Sequence, residues 1–155
     1  MKILVDADSC PRLAREAVLR ASSRTGVQAI FVANRPIPGI TGDTVVMDVC
    51  PRGENAADDR ILQLARPGDL VLTRDIPLAS RLVDAAIVVL DDRGQIYTKE
   101  NIRERLSLRD FMVDLAEHGL GAARTASYSK RELKAFADSF DRLLSKLIRE
   151  AVINQ

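Results

Sequence analysis

Five short apolar runs, separated by turn residues or by amphipathic stretches, set the architecture open to this chain. They are Ile3–Val5, Ala29–Ala33, Val45–Val49, Leu70–Leu72 and Ile87–Leu90. Runs this short and this rich in β-branched residues read as strands buried on both faces. Helical patterns lie between most of them. Pro11–Ser23 has Asp8 and Ser9 as candidate caps and stops at Gly26, and Ala56–Arg66 ends at Pro67-Gly68. Ile76–Asp84 has Asp75 as its candidate cap and Pro77 in its first turn. The β-α-β rhythm predicts an α/β fold, a mostly parallel open sheet with helices on both faces.

Beyond Leu90 the character changes. Asp91-Asp92-Arg93-Gly94 reads as a turn and Gln95–Thr98 as a short extended piece. Two helices follow, about Lys99–Leu106 and Leu108–His118, with a break suggested by the S-x-x-D spacing of Ser107 and Asp110. Gly119–Ser127 reads as a flexible Gly/Ala-rich connection. A last helix, about Lys130–Val152, opens with Ser129 and Glu132 in capping-box spacing. Its Leu133, Phe136, Phe140, Leu143, Leu144 and Leu147 make one apolar stripe, which is expected to face a core. At 155 residues the chain suits one domain, with residues from about 99 onward as helical additions packed on it.

Composition removes several classes. The longest unbroken apolar stretch, Ala85–Leu90, is too short to cross a bilayer, so no membrane span is expected. Asp6 and Asp8 interrupt the apolar start before a signal peptide's h-region forms. Cys10 and Cys50 read as reduced thiols, and a cytoplasmic location is expected. The formal net charge is only +1, so any nucleic-acid contact must come from local clusters. His118, the only histidine, sits at a helix end, which leaves zinc cages and Ser-His-Asp triads without support. The cysteines lack metal-motif spacing. Cys10, near a helix N-terminus, is either a thiol of lowered pKa or a small buried side chain. Neither G-x-x-x-x-G-K-[ST] nor G-x-G-x-x-G occurs.

The acids are more informative. In an open parallel sheet, ligands bind outside the carboxyl ends of the strands. Asp6 and Asp8, Asn34 and Arg35, Thr73, Arg74 and Asp75, and Asp91 and Asp92 all fall there, with Glu54, Asp58 and Asp59 at a nearby loop-to-helix junction. Converging carboxylates repel one another, and a hard cation relieves this best. The pattern therefore suggests Mg²⁺ or Mn²⁺ polarising a phosphoryl oxygen. Asp8 and Asp75 read equally well as helix caps, and Asp91-Asp92 as turn chemistry. Asp6, ending a buried strand, calls for a partner.

The segments V-D-A-D-S-C-P, F-V-A-N, A-A-D-D-R-I, G-D-L-V-L-T-R-D-I-P-L-A and R-G-Q-I-Y-T-K-E-N-I-R-E-R-L-S-L-R-D-F-M resemble the YaiI/YqxD family of bacterial proteins. That family is similar to PIN-like nuclease domains. The resemblance implies a PIN-like α/β domain and metal-dependent nuclease or phosphodiesterase chemistry on RNA. On that pattern Asp6, Asp58 and Asp75 are the catalytic and metal-holding acids, and Asp8 is a possible fourth ligand. Asn34, Arg74 and Thr73 are expected to meet substrate. Asp59 is expected to be incidental and solvent-facing.

Two other readings use the same residues. In a haloacid-dehalogenase-like phosphatase, Asp6 would be a covalent nucleophile and Asp8 a general acid. That chemistry looks for a lysine, and none lies between Thr73 and Asp91. In a non-catalytic RNA- or nucleotide-binding module, Arg103, Arg105 and Arg109, with Arg124 and Arg131 nearby, would line a phosphate groove. The plainer reading of these arginines is a solvated helix face.

Overall fold

A computed structural model describes residues 1–119 and 127–155. The expected connection at Gly119–Ser127 lies largely outside the described residues. The elements run β1 (Lys2–Asp6), α1 (Arg12–Thr25), β2 (Gln28–Ala33), β3 (Val45–Val49), α2 (Ala56–Leu64), β4 (Leu70–Leu72), α3 (Ile76–Asp84) and β5 (Val88–Leu90). They continue with β6 (Ile96–Tyr97), α4 (Lys99–Glu117) and α5 (Lys130–Ile153). The strands form one sheet in the order β3-β2-β1-β4-β5-β6. Every pairing is parallel except β5 with β6. The fold is therefore the expected α/β class. The extended piece after the Asp91–Gly94 turn is an antiparallel edge strand.

Alternation along the strands divides the core into two layers. Ile3 and Val5 of β1 face one side with Phe31, Leu70, Leu72 and Leu90; α1 covers them, together with Phe136, Phe140, Leu144 and Leu147 of α5. Leu4, Ile30, Val32, Val71 and Val89 face the other side, under Ile61 of α2, Leu78 and Leu82 of α3, and Ile102 of α4. The central strands are buried on both faces as their composition requires. β3 is not. As an edge strand it leaves Val46 and Val49 exposed at 41% and 45%, and no helix lies in the connection between β2 and β3.

Two local expectations are corrected. Neither Asp8 nor Ser9 caps α1, whose N-cap is Pro11 with no side-chain hydrogen bond. Instead the Asn34 N–H donates to Asp8 Oδ2 at 2.8 Å and Ser9 Oγ donates to Asp6 Oδ2 at 3.2 Å, so both side chains tie the β1–α1 loop to strand ends. The two helices expected after Thr98 are one, α4. Thr98 and Asn101 form a reciprocal capping box, and with no Gly or Pro between Lys99 and His118 nothing interrupts the hydrogen-bond ladder at Ser107. Only Ile102 of α4 is buried; Leu108, Phe111, Met112 and Val113 are exposed. The cap expected at Asp75 is present, its Oδ1 accepting from the Leu78 N–H at 3.0 Å. The Ser129–Glu132 capping box of α5 also forms.

The Asp91–Gly94 turn fixes α5 against the sheet. Asp91 Oδ1 accepts the N–H groups of Arg93 and Gln95 at 2.9 and 2.8 Å, and Ser139 Oγ of α5 donates to the Gly94 carbonyl at 2.8 Å. Gly94 has a φ of +88°, and a Cβ there would stand 2.4 Å from the Ala135 carbonyl oxygen. Gly94→Ala is accordingly expected to cost about 2–3 kcal/mol through left-handed strain and overpacking, read as a lower urea midpoint.

Candidate active site at the carboxyl edge

The chain winds from β1 outward to β2 and β3, then returns to place β4 on the other flank of β1. The strand order thus reverses between β1 and β4, and their carboxyl ends flank the crevice where ligands enter doubly wound sheets. Asp6 closes β1. Thr73 follows β4, and its Oγ1 donates to Asp6 Oδ2 at 2.9 Å across this boundary. The same hydroxyl accepts the Asp75 N–H at 3.0 Å. One buried threonine therefore holds the acid of the first strand and the cap of α3 in fixed relation. Its proton and one lone pair are engaged inside the protein.

The remaining acids approach from neighbouring elements. Asp8 lies in the β1–α1 loop, and Asp58 is in the first turn of α2. Burial raises the Asp6 pKa; the Thr73 and Ser9 hydroxyls oppose this, while the charges of Asp75 and Asp8 add to it. Asp58 is pushed up to about 6 by burial first, then by the negative charges of Asp75, Asp6 and Asp59, against a smaller opposing effect of Arg81. Asp6 thus feels the charges of Asp75 and Asp8, and Asp58 feels those of Asp75 and Asp6. Asp59 is mostly exposed, 4.0 Å from Arg81 and apart from the crevice.

The folded state therefore holds protons on Asp58 that the unfolded chain has released. Stability contributed through this group is present at low pH and is lost as pH rises from the ordinary carboxylate value of 3.8 through about 6. Asp58→Asn should remove that loss. After discounting for solvent screening of a half-exposed group, the gain at neutral pH is about 1 kcal/mol, or roughly 2–4 °C in Tm. The difference should shrink toward zero below about pH 4 in thermal melts.

The expected substrate-facing residues divide. Arg74 donates from both Nε and Nη2 to Asp92 Oδ2, at 3.2 and 2.7 Å, beside Asp6. A guanidinium has five N–H donors, so others remain for a ligand. Asn34 follows β2, and its Oδ1 is buried without a hydrogen-bond partner. Arg105 and Arg109 of α4 have separate partners, and Arg124 of the same expected cluster lies outside the described residues. Arg105 is drawn back to Gln95 and lies 5.9 Å over the Tyr97 ring, while Arg109 pairs with Asp110. His118 is the C-cap of α4, as its position suggested. Burial pushes the Cys10 thiol up to about 12, so it is an inert packing residue and not an activated thiol. It joins Asp6, Ser9, Leu72, Thr73, Arg74, Asp92 and Phe136 around a cavity of about 10 Å³. The Ser9–Asp6 contact was missed from sequence. Its signal is the D-x-x-S spacing, which brings the hydroxyl back over the strand end.

The donors are carboxylates, which match a hard divalent cation in chemistry. Asp6, Asp8 and Asp75 each commit one oxygen to a protein donor, leaving the other outside those bonds. Among the described residues, no three of His, Cys, Asp or Glu are gathered closely enough to cage an ion. The set suits an ion that keeps most of its water and takes one or two carboxylates, the usual mode for Mg²⁺ at phosphate sites.

Fold and crevice define a doubly wound α/β protein with an acidic, threonine-braced switch point. The chain belongs to the YaiI/YqxD family: residues 4–146 match the family described as "Uncharacterized BCR, YaiI/YqxD family". It is 51% identical over 151 residues to a UPF0178 protein of Treponema pallidum, covering 97% of this chain and 85% of that one. UPF0178 proteins of Geobacter metallireducens and Myxococcus xanthus are 47% and 44% identical, over 97% and 96% of this chain and 97% of each relative. No solved structure matches the chain. Among the described residues, no helix is long and apolar enough to cross a membrane.

Proposed function

We propose that this protein is a divalent-cation-dependent phosphodiesterase acting on RNA. The observation that carries the reading is the Thr73–Asp6 hydrogen bond at the β1/β4 switch point, with the fields of Asp75 and Asp58 converging on the same crevice. A Mg²⁺ or Mn²⁺ ion held directly by one or two of Asp6, Asp58 and Asp75 and through water by the rest, with Asp8 assisting, would supply Lewis acidity toward a phosphoryl oxygen when bound. The chain's own residues do the positioning. Thr73 and Ser9 orient the Asp6 carboxylate. The α3 cap fixes Asp75, and Asn34 and Arg74 flank the path of the substrate phosphate.

A non-catalytic RNA-binding module is the second reading, favoured by the lack of a preassembled three-acid cage among the described residues. One experiment separates them. The purified full chain is incubated with single-stranded RNAs of varied sequence, with Mn²⁺ or with EDTA. Cleavage that requires the cation is the expected result; intact RNA alongside a folded protein would remove the enzymatic reading.

A further inference from the structure

The parallel register sets Ala33 of β2 opposite Val49 of β3, so the loops leaving these strands emerge side by side on the same edge as Asp6. The Cys50 N–H donates to the Ala33 carbonyl at 2.8 Å and holds the two exits together. Arg35 stands in one loop, before Pro36 and Pro38, and Arg52 in the other. Two adjoining clefts open here. One, of about 360 Å³, is lined by Asp8, Asn34, Arg35 and Arg52. The other, of about 400 Å³, is lined by residues that include Asp8, Arg15 and Arg35.

The arginines of this edge differ in how they are used. Arg74 is tied to Asp92, and Arg15 donates from Nη1 to the Cys10 carbonyl at 2.5 Å. Neither Arg35 nor Arg52 has a hydrogen bond or ion pair among the described residues. Asp8, the acid in the clefts, has one oxygen committed to the Asn34 N–H. The cleft therefore presents two guanidiniums with unspent, fork-shaped donors, the geometry that matches a phosphate best. It lies two strand spacings from the β1/β4 crevice, about 10 Å.

We propose that Arg35 and Arg52 grip a backbone phosphate of a single-stranded RNA whose phosphodiester two linkages along lies over Asp6. This inference rests on the RNA reading above and names a second contact for the same strand. The site is one of positioning. It holds the strand across the sheet edge and leaves the reacting group to the acidic crevice.

The test is binding without a metal. A fluorescein-labelled single-stranded oligoribonucleotide is titrated in EDTA with the full chain, by anisotropy, over a range of salt. The wild type should bind with an affinity that falls as salt rises. In the R35Q/R52Q double variant the affinity should fall about tenfold or more, and the log–log salt slope should become shallower by about 0.7, the worth of one single-strand phosphate contact. The R20Q/R149Q variant, with the same charge change on exposed positions of α1 and α5, should keep the wild-type slope. Equal slopes in all three proteins, or no wild-type binding, would overturn the proposal. Displacement of the strand by equimolar inorganic phosphate would assign the cleft to free phosphate, also against it. If Mn²⁺ yields no cleavage while R35Q/R52Q still loses binding, hydrolysis falls and this cleft stands.

Discussion

Asp6→Asn abolishes cation-dependent RNA cleavage while the protein stays folded: that is the first expected result. Losing a charge that acts on the reacting group typically costs on the order of a hundredfold or more. The fold should not suffer, because an Asn oxygen at this position can still accept from Thr73 and Ser9. It should gain. Asp6 has a raised pKa in the folded protein, so ionising it opposes folding, and that opposition grows as pH rises. The variant's thermal midpoint should therefore equal or exceed that of the wild type near neutral pH. Mn²⁺, which stabilises by mass action whatever state binds it, should raise the wild-type midpoint and leave the variant's almost unmoved. A variant that cleaves RNA at the wild-type rate would show that the first-strand acid has no part in the chemistry.

Phe136→Ala is the second. Phe136 is 1% exposed, and its ring stacks on Phe140 with centroids 5.3 Å apart and planes at 13°. Deleting a buried ring of this kind costs about 3–5 kcal/mol through lost transfer energy and a residual cavity. Against a total stability of about 5–15 kcal/mol, this lowers Tm by roughly 10 °C or more in a chain of this size. The effect reaches the site, because Phe136 also walls the small cavity beside Asp6 and Thr73. Admitting water there should relieve the desolvation of Asp6 and bring its pKa down. A loss below about 1 kcal/mol in urea unfolding would mean that α5 is not part of the packed core.

These two residues also mark what was legible in the sequence. Periodicity found the strands and the apolar stripe of α5, because short β-branched runs and a helical stripe of Leu and Phe have few other uses. It assigned Asp75 to the cap of α3 from its place before Ile76-Pro77, and the structure agrees. It failed where local rules compete with tertiary ones. The spacing of Ser107 and Asp110 imitates a cap, yet a helix already nucleated at Thr98 runs through it. Asp8 and Ser9 stand where caps usually stand, but the β1–α1 loop spends them on Asn34 and Asp6. Val45–Val49 reads as buried because its composition does not say that it will be an edge.

Asp6, Asp8 and Asp75 were named from the strand ends, since each charge soon after a buried strand must lie at one rim of the sheet, whereas Asp58, in the first turn of α2, was singled out by the family resemblance. What the one-dimensional pattern left hidden was which oxygen faces which donor. Thr73 illustrates this. As the residue after β4 it was expected to meet substrate, whereas its hydroxyl bonds inward to Asp6 and to the Asp75 amide. The Arg35 and Arg52 cleft was also invisible, because their proximity comes from the pairing of β2 with β3 and not from any spacing along the chain.

The central claim is that Asp6, Asp58 and Asp75 share one hydrated cation. It is tested most directly by crystals soaked in MnCl₂ and measured at the manganese absorption edge. The account predicts an anomalous peak in the β1/β4 crevice, within direct or single-water reach of the Asp6 carboxylate. A saturated soak with no peak there, or with manganese bound only at surface acids such as Asp138 or Glu150, would contradict it.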